Sequence, residues 1–255
     1  MKVFSLTTRI PLLIIYYIIH KNFFFGFIYK FFFDNFYYKK LVFNLKSFRL
    51  PISNYSSFFF NTYEYNDRIL IEKYINNKNN CIIIGGGLGF IATLCFFKSK
   101  KKILVFEIDQ SICNNLSNNL YINSCKFVLY NKNLLIHNNF LKKFKKYNYF
   151  FYHNDFLSNS AHRKSNKKFR VENIPSRKIL SFNKFNTLVI DAEGMEKYYI
   201  NNIGLLDNIY FLFFELHYDL LNSKEIDKIT NILIKNKFIL VDKCFNSFFY
   251  KRISS

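Results

Sequence analysis

The sequence predicts an α/β fold: a Rossmann-like, mostly parallel sheet with helices on both faces and an antiparallel hairpin at its C-terminal end. Three observations predict it. A short apolar run, Ile82 to Ile84, enters Gly85-Gly86-Gly87-Leu88-Gly89, after which Ile91, Leu94 and Cys95 recur at helical spacing, the pattern of a strand, a tight turn and a helix. Two later apolar runs, Thr187 to Ile190 and Ile209 to Phe214, each stop at acidic residues and read as strands buried on both faces. Finally, Phe238 to Val241 and Ser247 to Lys251 read as strands joined by Asp242 to Asn246. That link is too short for a parallel crossover, so the pair is antiparallel.

At 255 residues and 30.8 kDa the chain has room for one α/β domain of catalytic size, 61–255, preceded by an apolar extension, 1–60. The formal charge is +20, from 37 Lys+Arg against 17 Asp+Glu, which points toward nucleic acid or an anionic membrane. Phe, Ile, Lys, Asn and Tyr are abundant everywhere while Gly, Pro and Trp number 7, 3 and 0, a bias that AT-rich codon usage produces, so the charge is discounted and nucleic-acid binding is not expected. The five cysteines, 81, 95, 113, 125 and 244, form no C-x-x-C pair, which supports neither zinc nor a disulfide framework. Cys95 and Cys113 lie among apolar helical positions and read as buried thiols in a reducing, cytoplasmic compartment.

Within the extension, residues 10–33 are strongly apolar, but His20, Lys21, Asn22 and Lys30 interrupt the run. The longest clean stretch is shorter than the ~20 residues that cross a bilayer core. No small-residue cleavage site follows, which counts against secretion. The segment is expected either to cap the domain or to lie in a membrane interface as a peripheral contact. Ile69, Leu70, Ile71, Tyr74 and Ile75 then predict an amphipathic helix with Asn66 or Asp67 as N-cap.

The glycine turn comes next. A dinucleotide fold needs G-x-G-x-x-G, and the third position here is Phe90; the spacing present is G-x-G-x-G, Gly85, Gly87 and Gly89. That resembles the nucleotide loop of class I S-adenosylmethionine methyltransferases, whose ligand has no phosphate to cradle. Ile103 to Phe106 is the following strand and ends in Glu107, about 20 residues past the glycines, where an acid meets the ribose of a bound nucleoside. Gly85, Gly86, Gly87, Gly89 and Glu107 are therefore the expected cofactor-binding set. The rival reading is an ordinary glycine-rich turn with a solvated strand end.

Ile112, Leu116, Leu120 and Ile122 predict the second crossover helix, and Lys126 to Tyr130 a third strand. Residues 131–165 show no sustained period, although Tyr149 to His153 suits a strand. Lys142, Lys143, Lys145, Lys146, His162, Arg163, Lys164, Lys167, Lys168 and Arg170 make a basic insert, at about 131–170, that reads as a solvated face or a lid.

Thr187 to Ile190 ends in Asp191-Ala192-Glu193-Gly194-Met195-Glu196, and Ile209 to Phe214 in Glu215-Leu216-His217. Functional groups in open parallel sheets gather at the carboxyl ends of strands, and alternation puts Glu215 and His217 on one side. The rival reading of the first block is a helix N-terminus decorated with acids. Ile226, Ile229, Ile232 and Leu233 predict a helix before the final hairpin.

Taken together, Gly85 to Gly89, Glu107, Leu116 with Asn119 and Asn123, Asp191-Glu193-Gly194-Glu196 and Phe214-Glu215-Leu216-His217 resemble the FkbM family of S-adenosylmethionine-dependent methyltransferases, over roughly residues 60–252. Two positions depart from its pattern: Ile83, where an acid often precedes the glycines, and Ile108, where a proline often follows the ribose acid. The resemblance implies a class I methyltransferase fold with a seven-stranded sheet. It further implies methyl transfer from S-adenosylmethionine to a hydroxyl of a sugar or other secondary metabolite, a small-molecule or glycan acceptor. Catalytic groups are then His217, Asp191 and Glu193, with Glu215 and Glu196 on the acceptor. His217 is the favoured base for its unperturbed pKa near 6.5, and paired carboxylates at Asp191 and Glu193 suit a divalent ion such as Mg²⁺. A nucleic-acid methyltransferase and a non-catalytic adenosine-binding or membrane-surface protein are the alternatives.

Overall fold

The computed structural model describes residues 22–46, 48, 50–136, 146–151, 167–179, 184–193, 195–203, 206–218 and 221–253. The chain divides into two compact units, Met1–Tyr65 and Asn66–Ser255.

In the first unit, helix α1 (Phe23–Phe32) is capped by Asn22, whose Oδ1 accepts the N–H groups of Phe24 and Phe25. A hairpin follows, β1 (Asn35–Tyr38) and β2 (Leu41–Asn44), and then the short helix α2 (Tyr55–Phe59). Gly26 lets α1 come close to the backbone beneath it: a β-carbon there would lie 2.0 Å from the Ile52 carbonyl oxygen. Phe36, Phe43 and Phe58 are buried in this unit, whereas Phe23, Phe24, Phe27, Phe31 and Phe32 of α1 face outward. Residues 10–21 of the expected apolar segment lie outside the described residues. Among the described residues no helix is long and apolar enough to cross a membrane.

The second unit begins with α3 (Tyr65–Tyr74), β3 (Cys81–Ile84), α4 (Phe90–Ser99), β4 (Ile103–Phe106), α5 (Gln110–Ile122) and β5 (Phe127–Tyr130). It continues with β6 (Asn133–Leu135), β7 (Tyr147–Phe151), β8 (Lys168–Pro175), β9 (Thr187–Ile190), α6 (Glu196–Asn201) and β10 (Phe211–Glu215). It ends with α7 (Ser223–Lys235), β11 (Phe238–Cys244) and β12 (Ser247–Arg252). The main sheet has seven strands in the order β11-β12-β10-β9-β3-β4-β5. The pairings β5–β4, β4–β3, β3–β9 and β9–β10 are parallel, and β12 runs antiparallel to both β10 and β11. The expected terminal hairpin is there, with strand β11 extending to Cys244, beyond the Val241 expected.

Strands β3, β4 and β9 are buried at every residue, which is why they read as continuous apolar runs. One face of the sheet, with Ile82, Ile84, Leu104, Phe106, Leu188, Ile190, Leu212 and Phe214, packs against Tyr199, Ile200, Ile229 and Leu233 of α6 and α7. Aromatic pairs hold the reversed strand in register: Phe213 stacks on Phe249 with centroids 4.4 Å apart, and Phe214 on Tyr250 at 5.7 Å, each contributing about 0.5–1.5 kcal/mol beyond area burial.

Three sequence expectations are corrected. Helix α3 starts at Tyr65, so Asn66 and Asp67 lie in its first turn and do not cap it; the Asn66 carboxamide donates instead to Asn246 Oδ1 at 2.9 Å. In the stretch read as aperiodic, 131–165, β7 overlaps the strand expected over Tyr149 to His153 and β6 was not expected; with β8, which lies beyond it, they form a separate small sheet in the order β6-β8-β7. The other two strands carry little signal in the sequence: β6 is three residues long and β8 has Lys168 and Arg170 on its exposed side. The strand expected over Ile209 to Phe214 begins at Phe211 and includes Glu215. Of the basic insert, Lys142, Lys143, Lys145, His162, Arg163 and Lys164 lie outside the described residues, as do Tyr152 and His153 of the expected strand and Gly194 of the acidic block.

Candidate active site

Parallel register builds the site. Ile84 pairs with Phe106 on one side and Ile190 on the other, and Ile190 pairs with Phe214. The next residues along these four strands, Glu107, Gly85, Asp191 and Glu215, therefore form one row at the carboxyl edge. The chain order reverses between β3 and β9, the switch point at which open α/β sheets bind ligands. The Asp191 N–H donates to the Ile84 carbonyl at 2.9 Å, which carries the ladder one step past the strands.

The glycine turn packs tightly against both neighbours. Gly85 has φ +88°, and a β-carbon on it would lie 1.6 Å from the Asp191 carbonyl oxygen. One on Gly86 would lie 2.4 Å from Leu116 Cδ2. Helix α5 braces the same turn through Asn119, whose Nδ2 donates to the Leu88 carbonyl at 2.9 Å, and Asn123 donates back to the Asn119 carbonyl at 2.8 Å. The Leu-x-x-Asn-x-x-x-Asn spacing thus supports the loop rather than a ligand.

Glu107 is buried. Its Oε2 accepts the N–H groups of Gly86 at 3.0 Å and Gly87 at 3.2 Å, and its Oε1 accepts that of Asp109 at 2.9 Å. Burial pushes its carboxyl above the usual range, and the three N–H groups partly oppose this. Two residues the sequence reading missed complete this corner. Asp109 caps α5 by accepting from Ser111, and Asn131 Nδ2 donates to the Glu107 carbonyl at 3.0 Å. Asp109, sitting just before an amphipathic run, carried a legible N-cap signal; Asn131 carried none.

On the other side of Gly85, four acids gather about one imidazole. His217 Nδ1 donates to Glu196 Oε1 at 3.0 Å, while Nε2 lies 3.3 Å from Glu193 Oε2 and 3.9 Å from Asp191 Oδ1. Glu196 is fully buried, and its Oε1 also accepts the Ala192 N–H at 3.1 Å. Glu193 sits at φ +46°, in the left-handed region, a conformation costing about 1–2 kcal/mol for a side chain of this kind. Glu215 accepts from Asn246 Nδ2, and Asn246 is in turn held by Asn66. Neither asparagine was legible as a site residue, since the two are 180 positions apart.

Two expected roles change here. The ordinary pKa near 6.5 does not apply to His217: burial alone lowers it, but hydrogen bonds to Glu193 and Glu196 and the charge of Asp191 outweigh that and push it up to about 12. Held between these carboxylates, the imidazole favours its protonated form. Glu196, expected to bind an acceptor, is sealed beneath His217 and positions it instead. Asp191 has its carboxyl raised well above the usual range by burial and by Glu215 and Glu193, with His217 opposing; because 35% of the side chain is open to solvent, screening moderates this. One ligand atom each from Asp191, Glu215 and His217 lies within 4.8 Å of the others, so these three, rather than the expected pair Asp191 and Glu193, could surround a metal ion.

No family model and no curated protein matches this chain. Solved structures similar to it include a ribosomal protein L11 methylase from Lactobacillus delbrueckii subsp. bulgaricus (14% identity, TM-score 0.43, covering 74% of this chain and 77% of that one). Also similar are M. jannaschii TYW2 in complex with AdoMet (12%, TM-score 0.43, 86% of each chain) and precorrin-6y C5,15-methyltransferase from Geobacter metallireducens GS-15 (8%, TM-score 0.42, 72% and 84%). The strand order itself, seven strands with a reversed one next to the edge and glycine and acid rows at the switch point, defines the class I methyltransferase fold.

Proposed function

We propose that this protein is an S-adenosylmethionine-dependent methyltransferase, FkbM-like, acting on a hydroxyl of a small molecule or glycan. The observation that carries this reading is the row Glu107, Gly85, Asp191, Glu215 along the switch point. Gly85 to Gly89 and Glu107 would hold the nucleoside: the turn offers close backbone approach, and Glu107 Oε1, accepting one N–H, keeps a lone pair for a ribose hydroxyl. Bound there, S-adenosylmethionine supplies an electrophilic methyl group. The chain's part is to orient the acceptor, largely by proximity, and to remove its proton. With His217 already protonated, that proton goes to a carboxylate, Asp191 or Glu193, and the imidazolium steadies the charge that develops on the acceptor oxygen.

The test separates cofactor from acceptor. S-adenosylmethionine should raise the melting midpoint of the wild type and of Asp191→Ala alike, since a ligand that binds only the folded form must stabilise it, while Glu107→Ala should lose the shift. Labelled methyl transfer into a cell extract should occur with the wild type and vanish with Asp191→Ala. Absence of any shift with S-adenosylmethionine or its demethylated product would instead favour a non-catalytic nucleoside-binding protein.

We further propose a peripheral membrane contact through α1 in the first unit. It rests on Phe23, Phe24, Phe27, Phe31 and Phe32, each more than half exposed, with Lys30 in the last turn; exposed aromatics beside a cation suit an anionic headgroup layer. Sedimentation with phosphatidylserine vesicles, weakened at least tenfold in the triple variant Phe24→Ser, Phe27→Ser, Phe31→Ser, is the expected result; equal sedimentation of that variant refutes it.

A further inference from the structure

We propose that Asp191, Glu215 and His217 form a binding site for a divalent first-row transition ion, with Mn²⁺, Fe²⁺ or Zn²⁺ as the chemical class. Their donor atoms lie within 4.8 Å of one another. Ligands sharing an ion at about 2.0–2.2 Å are at most roughly 4.3 Å apart, so side-chain rotation of a few tenths of an ångström closes the set. Two of the donors stand at the ends of adjacent parallel strands, β9 and β10, and the third two residues beyond, so the register of the sheet sets their spacing.

What surrounds these donors is already arranged as an outer shell. Fully buried Glu196 takes the Nδ1 side of His217 and is itself fixed by the Ala192 N–H, leaving Nε2 directed at Asp191 and Glu193. A carboxylate holding the remote nitrogen of an imidazole is the arrangement that orients a histidine toward a metal. Asn246 holds Glu215 in the same way, backed by Asn66.

An independent observation points to a missing cation. Asp191 Oδ1 is buried and accepts no hydrogen bond, and the nearest imidazole nitrogen is 3.9 Å away, beyond bonding reach. A buried carboxylate oxygen without a donor is costly, and an ion in the cage removes that cost; the ion takes His217 Nε2 in place of the proton there, which is released to solvent. The donor chemistry decides the class: Mg²⁺ and Ca²⁺ take oxygen ligands, whereas imidazole beside two carboxylates suits Mn²⁺, Fe²⁺ or Zn²⁺. Mg²⁺ was expected from the carboxylates alone; the imidazole beside them is what favours the transition ions. Three protein ligands leave coordination positions open; on the methyl-transfer reading, an acceptor hydroxyl occupying one becomes more acidic and Glu193 remains to take its proton.

The site is tested without S-adenosylmethionine, so its outcome is separate from that of the methyl-transfer experiments. Chelator-treated full-length protein is titrated with MnCl₂, and free ion is read from its electron paramagnetic resonance signal. One equivalent should bind, and Asp191→Asn and Glu215→Gln, which preserve side-chain shape, should each weaken binding 10- to 100-fold. Asp227→Asn, an exposed carboxylate change on α7, should leave it unaltered, and circular dichroism confirms that each variant is folded. No binding at millimolar Mn²⁺ or Zn²⁺, or binding unchanged in both site variants, overturns the proposal and leaves the imidazolium as the cation of the cage.

Discussion

Gly85 and Asp191 meet backbone to backbone at the centre of the sheet: no side chain fits on Gly85, because its β-carbon would sit 1.6 Å from the Asp191 carbonyl oxygen. This contact couples the two halves of the candidate site. The turn that would receive a nucleoside and the strand end that carries the acids are held at one spacing, so neither shifts without the other.

Gly85→Ala should therefore do more than remove conformational freedom. A positive φ costs a side chain about 1–2 kcal/mol, and forcing β3 and β9 apart adds about 1–3 kcal/mol of overpacking strain. Urea denaturation should show the combined loss. Gly87→Ala, at φ +47°, should show the smaller conformational cost.

Glu196→Ala should be among the most damaging single changes, since it leaves the imidazole of His217 buried beside no neutralising partner on its Nδ1 side. Breaking such a pair costs about 3–5 kcal/mol. Glu196→Gln restores an acceptor for Nδ1 and should cost about 1–2 kcal/mol. Denaturation midpoints of the two variants check the ranking.

Stability should depend on pH through Glu107. Its carboxyl is raised in the folded state, chiefly by burial, so the folded protein holds that proton more tightly than the unfolded chain. The contribution is complete below the ordinary carboxyl value of 4.5 and is lost as pH rises through the raised folded value. Wild type should lose stability relative to Glu107→Gln as pH climbs from about 4.5; parallel pH profiles of the two proteins would contradict this.

The thiols should divide in reactivity. Cys81, Cys95, Cys113 and Cys125 are buried, while Cys244 is partly exposed, and burial pushes the Cys113 thiol up to about 12 and that of Cys125 to about 11. A thiolate-selective reagent should label Cys244 first in native protein and the remaining four only on unfolding, as counted by mass spectrometry.

Much of this was legible in the residues. The strands β3, β4 and β9 announced themselves because burial on both faces demands uninterrupted apolar runs, and the acids that close them mark the carboxyl edge in any parallel sheet. The reversed hairpin was legible because Asp242 to Asn246 cannot span a crossover. Of the small sheet only β7 was legible, through Tyr149 to Phe151; β6 is too short and β8 too charged, and their pairing, Asn133 with Asn173 for example, joins distant segments.

Local period and punctuation were enough to locate the glycine turn, the ribose-type acid and the block around Asp191, because each depends on neighbours within a few positions. Roles needed the assembled sheet. Only parallel register brought Glu193, Glu196, Asp191 and Glu215 around His217, turning an imidazole expected to be free into one held among carboxylates and a supposed acceptor-binding Glu196 into its buried support. Charge and hydrogen bonding act across space, and their partners are chosen by strand order rather than by proximity along the chain.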